Sequence, residues 1–161
     1  MIAKFAVRTA AALSLVAGMA MAAGAQTQTV NFEVKPINQF SITSTPVTLT
    51  ITTATAGSDP SPVTDASSRW SVTTNTTGAK ISASIPTDMP SGLTLGVLLA
   101  APGGATPTAQ NLSSTAQDLV TGITKVAASS LTVTYTFSAT AAAGVVAPSS
   151  RVVTYTMTPG A

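Results

Sequence analysis

The chain has no cysteine and no histidine in 161 residues, and only 7% of it is charged. Each absence closes a class of function. Without cysteine there is no disulfide framework, no thiolate nucleophile and no thiolate metal site. Without histidine the commonest general base and metal ligand is gone. A Ser–His pair for acyl transfer is impossible, and Lys35, Lys80 and Lys125 sit in no S-x-x-K frame that would replace it. Glycoside hydrolysis needs two carboxylates flanking one bond. Glu33, Asp59, Asp65, Asp88 and Asp118 are far apart in sequence and mostly in turn-like stretches. Asp59 and Asp65 share a loop, but two acids are few for calcium, which takes six or more oxygen ligands. Turn residues that bond their own backbone are the simpler reading. No P-loop or G-x-G-x-x-G occurs, and Gly103-Gly104 is a loop pair. The expectation is a protein without catalytic residues, metal or cofactor.

What is present begins with an export signal. Lys4 and Arg8 supply a positive start, and Ala10 to Ala23 an apolar run centred on Leu13, Leu15, Val16, Met19 and Met21. Ala23-Gly24-Ala25 is an A-x-A cleavage site that leaves Gln26 first. A membrane anchor needs about 20 apolar residues, and this run is shorter. No cysteine follows for a lipid, and no later run is long enough to stop in a membrane. The expected division is a signal peptide over 1–25 and one domain over 26–161, placed in the periplasm, on the cell surface or outside the cell. The net charge of +2 then belongs to the leader. Beyond it Lys35, Arg69, Lys80, Lys125 and Arg151 balance the five acids, singly and scattered. A basic patch, the footprint of nucleic-acid binding, is missing.

The remainder is rich in threonine, serine, alanine and valine, a composition of strands with a hydroxyl-covered outer face. Strict apolar/polar alternation recurs. It runs through Val30-Phe32-Val34, Phe40-Ile42, Val47-Leu49-Ile51, Trp70-Val72, Ile81-Ala83-Ile85, Leu93 to Leu99, Leu131 to Phe137 and Val153-Tyr155-Met157. Proline and glycine clusters separate the runs. Arg69 to Ile85 reads as a hairpin about Asn75 to Gly78. The similar segments Val133–Phe137 and Val153–Met157 read as neighbours in one sheet. Asn111 to Ala128 predicts one or two short strands. Some eight or nine strands of this kind predict a single all-β sandwich or barrel. Phe32, Trp70, Val72, Ile81, Leu95, Val97, Val133, Tyr135, Val153 and Tyr155 are its expected core. The triplets at Asn75 and Asn111 are glycosylation sequons, of a kind that chance supplies in such a chain.

Thr29 to Val34, Ser114 to Ile123 and Arg151 to Thr156 resemble small secreted bacterial proteins of unknown function. The resemblance spans Gln26 to Ala161. It implies an antiparallel immunoglobulin-like sandwich in an extracytoplasmic place, and it carries over no catalytic residue. More distantly the layout is similar to pilus subunits and surface-fibre domains.

Two functional expectations compete. In the first, the chain is a structural or adhesive surface protein, a subunit of a filament or matrix. Its terminal strand, Gln26 to Lys35 with the stripe Val30, Phe32 and Val34, completes a neighbouring copy's sheet. The partner is then the chain itself or another cell-surface component. The simpler alternative for the strand is pairing at home. In the second, the chain is a monomeric module that binds a carbohydrate or surface partner through the loops 53–68 and 101–111. Those loops hold no aromatic residue, which weakens a sugar site. An outer-membrane barrel is disfavoured, because six aromatics beyond the leader are too few for two girdles.

Overall fold

The computed structural model of the protein describes residues 24–161. Most of the expected leader, with Ala23 of the cleavage site, lies outside the described residues. The chain divides into two units at Glu33/Val34. Of the first, residues 24–33 carry no helix or strand, and every one of them is exposed, Ala25 and Gln26 of the cleavage site included.

The second unit, Val34–Ala161, is an antiparallel β-sandwich. Its strands are β1 (Asn38–Ile42), β2 (Val63–Asp65), β3 (Arg69–Thr74), β4 (Ala79–Ser84), β5 (Leu93–Leu99), β6 (Thr106–Pro107), β7 (Gln110–Asn111), β8 (Gln117–Ile123), β9 (Val126–Ala139) and β10 (Thr154–Thr158). One sheet runs β1-β3-β9-β5-β7, with β2 also on β9. The other runs β10-β4-β8-β6. Ten strands exceed the expected number because β2, β6 and β7 are only two or three residues long. Such short pairings leave almost no periodic trace.

Alternation places the core. Along β3, Trp70, Val72 and Thr74 are buried, while Arg69 and Thr73 are exposed. Ile81 and Ala83 on β4, Val97 and Leu99 on β5, Leu119, Val120 and Ile123 on β8, and Val133 on β9 complete the interior. Trp70 is buried, leans on Phe40 at 5.9 Å between ring centroids, and donates its indole N–H to the Ala100 carbonyl at 3.1 Å. A buried indole needs such a partner. β9, the longest strand, pairs with three neighbours, β2 among them. Its first half pairs with β3 and its second with β5, and the β3 register shifts between Trp70 and Val72. Ser130 takes a φ of 57° at this bulge. Beyond β10, Ala161 exchanges both backbone hydrogen bonds with Thr77, at 2.9 and 3.0 Å. A Cβ on Gly160 would overlap the Thr77 carbonyl, so glycine is what lets the chain lie there.

Several expectations need correction. Phe32 is 93% exposed and is no part of the core, and Val30 to Val34 forms no strand in the single chain. Leu95, Tyr135, Val153 and Tyr155 are half-buried and pack on the core from its margin. Val47, Leu49 and Ile51 are half-buried and alternate as expected, yet 46–52 enters no ladder. β3 and β4 are not a hairpin. They lie in opposite sheets, and the Asn75–Gly78 turn carries the chain across the sandwich. The Tyr135 and Tyr155 strands also face each other from opposite sheets, and their hydroxyls meet at 2.6 Å. Alternation specifies a strand's two faces and says nothing of its neighbour.

Candidate functional site

The most unusual feature among the described residues is the run Val30, Phe32 and Val34. Val30, Phe32 and Val34 are 71%, 93% and 77% exposed. Single exposed apolar side chains are ordinary, but a regular stripe on consecutive alternate positions is a candidate contact surface.

The base of this segment is fixed within the sandwich by Asn75. Its side-chain oxygen accepts from the Ile37 amide at 2.7 Å, and its side-chain nitrogen donates to the Lys35 carbonyl at 2.9 Å. Its own amide donates to the Ile37 carbonyl at 3.2 Å. A carboxamide used this way replaces one rung of a ladder. One residue on, Asn38 accepts from the hydroxyls of Thr74 and Thr76, at 2.7 and 3.0 Å, beneath the same turn. These contacts give the Asn75 triplet a structural role, since both polar atoms of its side chain are engaged.

The two loops expected to bind a partner are tied into the fold. In 53–68, Ala54 bridges Pro60, and Asp59 accepts from the Ala141 amide at 2.8 Å. Asp65 accepts from the Ser67 amide and hydroxyl at 3.0 and 2.6 Å, and these bonds hold its carboxyl below the usual range. Asp59 and Asp65 thus serve the backbone separately. Among the described residues no three metal-ligating side chains gather. No helix among them is long and apolar enough to cross a membrane. The loop 101–111 folds into β6 and β7 against β8 and β5.

That second loop also builds one wall of an open groove of about 550 Å³, lined from β5, β7 and β9 of the first sheet and by Gln117 of β8. Its floor is Gly96, with Leu98, Gln110, Asn111, Gln117, Thr134 and Thr136 around it. The sequence reading missed it. The available signal was a glycine inside the aliphatic run Leu93 to Leu99, which marks a bulge or a close approach.

The described residues thus form an all-β sandwich with an exposed apolar run and a groove lined by uncharged residues. No protein-family model matches the chain, and no curated protein matches it.

Proposed function

We propose that the chain is a secreted, non-catalytic structural or adhesive surface protein that assembles into an extracellular filament or matrix. In this reading the segment Gln26 to Lys35 adds itself as a strand to a neighbouring copy. The observation that carries the reading is the exposure of Val30, Phe32 and Val34 in the single chain. An apolar stripe left in water gains about 25 cal/mol per Å² when a partner covers it.

The sandwich has edges that suit such a strand. β1 and β10 end their sheets and take no further partner among the described strands. Phe40 on β1 and Tyr155 on β10 lie 6.3 Å apart between ring centroids, so the two open edges share one side of the sandwich. Unpaired edges accept added strands unless something blocks them. The contact joins unlike surfaces, so it builds open polymers where its rotation does not close into a ring.

Deletion tests this. The secreted protein is expected to form fibres visible by electron microscopy, and removal of Gln26 to Lys35 is expected to abolish them. A peptide of that sequence should then raise the melting temperature of the shortened protein without restoring fibres. An intact protein that stays monomeric at high concentration, with no fibres on cells, overturns the proposal.

A further inference from the structure

We infer that the groove over Gly96 is a binding site for an uncharged glycan chain, recognised by the side-chain amides and hydroxyls that line it. The inference stands on different residues from the filament reading and does not depend on it.

Gly96 is the starting point. It lies mid-way along β5, where a glycine weakens a strand. Its φ lies outside the left-handed region, so the backbone does not ask for it. Packing does not ask for it either. A Cβ there would sit 3.5 Å from the Asn111 side-chain oxygen and 3.6 Å from the Thr136 carbonyl, which is ordinary contact. What the missing side chain provides is open space in the floor of the groove.

The register places the walls. Gly96 is paired with Asn111 on one side and Thr136 on the other, and Leu98 with Thr134. Side chains at paired positions share one face of a sheet, with strands roughly 4.8 Å apart. The Asn111 amide therefore shares a face with the Thr134 and Thr136 hydroxyls, and Gln117 of β8 adds a second amide to the lining. The side chains of Asn111, Gln117, Thr134 and Thr136 make no hydrogen bond to another described residue, leaving their donors and acceptors open to the groove. No charged side chain lines it.

This chemistry selects the ligand. Carboxamides and hydroxyls both donate and accept, which matches a molecule whose every hydroxyl does the same. A charged ligand finds no counter-ion. A peptide strand cannot extend the sheet at Gly96 and Val97, because β7 already occupies that edge of β5. Leu98, 38% exposed, offers an apolar patch for a sugar ring face. The volume falls in the range of small-molecule sites. The groove holds no aromatic platform, so each sugar is held weakly and the contact suits a chain with many repeats.

The test is amide-resolved NMR of the purified protein titrated with cellohexaose, chitohexaose, maltohexaose and mannohexaose, with a polygalacturonate oligomer as the charged control. At least one neutral oligosaccharide is expected to shift the amides of Gly96, Asn111, Thr134 and Thr136 in a saturable way, with a dissociation constant on the order of 1 mM or below. Gly96→Val, which fills the floor in a strand-favouring way, should weaken that binding at least about tenfold, or 1.4 kcal/mol, with the melting temperature kept. Gln117→Ala, which removes an amide from the lining at a half-buried position, supplies a second test should Gly96→Val fail to fold. The inference is overturned if none of the four shifts these amides, if the shifts map elsewhere, if the charged oligomer binds as well, or if the folded variant binds unchanged.

Discussion

Val30-Phe32-Val34 and Leu95-Val97-Leu99 carry the same pattern, three large apolar residues at alternate positions, and end in opposite environments. Val97 and Leu99 are buried in a strand bonded on both sides, to β9 and β7. Val30, Phe32 and Val34 are exposed and in no strand. Period-two patterning declares that a segment has one face to bury. Whether its own chain buries that face depends on a free neighbouring edge and on the residues that lead into it. Pro36 interrupts the run before β1 begins, and Asn75 holds Lys35 and Ile37 on either side of it. Between the two extremes lies β10 at a sheet end, where Tyr155 and Met157, with Val153 just before the strand, are half-buried.

Substitution should reproduce this order. Leu119→Ala removes a fully buried side chain from β8, and its expected cost is about 2–5 kcal/mol from lost transfer energy and the cavity left behind. Phe32→Ala, made in the monomer, should change stability by no more than about 0.5 kcal/mol. Denaturant unfolding of both variants checks the contrast, which breaks if Phe32→Ala costs as much as the core change.

Tyr155→Phe probes the intermediate case. It leaves the Tyr135 hydroxyl without its partner across the sheets, at an expected cost of about 1 kcal/mol. It also has a pH signature. Burial raises the Tyr155 pKa first, and the neighbouring Tyr135 hydroxyl adds to it. An unfolded tyrosine ionises near about 10. The folded chain keeps its proton beyond that point, so the unfolded state releases protons first. The contribution is complete below about pH 10 and falls away as pH rises further. Melting temperatures across the alkaline range should show that decline in the parent protein and a shallower one in Tyr155→Phe. Equal slopes would place the tyrosine pair outside the interior.

The smallest effect is expected at Asn75. Asn75→Ala removes two exposed hydrogen bonds that hold Lys35 and Ile37, so global stability should fall by about 1 kcal/mol or less. Hydrogen exchange at the Ile37 amide should speed up while the Val97 and Val133 amides keep their protection. Unchanged exchange at Ile37 would show that Asn75 does not anchor the segment.

The sheets and the site were legible to different degrees. Trp70, Val72, Ile81, Val97 and Val133 are in the core where alternation placed them. β2, β6 and β7 were hidden because two or three residues cannot display a period. The groove was hidden because its walls come from β5, β7, β8 and β9, which the sequence scatters from Gly96 to Thr136. Only Gly96 marked it, as a glycine inside the alternating run Leu93 to Leu99.

The sequence by itself determined that this protein is all-β, which faces its strands bury, and that it has no histidine or cysteine with which to build a site. Those properties are local, set by side-chain chemistry and a two-residue period. Only the tertiary structure decided which strands are neighbours. It sent β3 and β4 into opposite sheets, set Tyr135 against Tyr155 across the sandwich and gathered amides and hydroxyls around Gly96. Pairing is a competition among strands of similar pattern, settled by how the whole set packs around one core, and no single strand encodes that outcome.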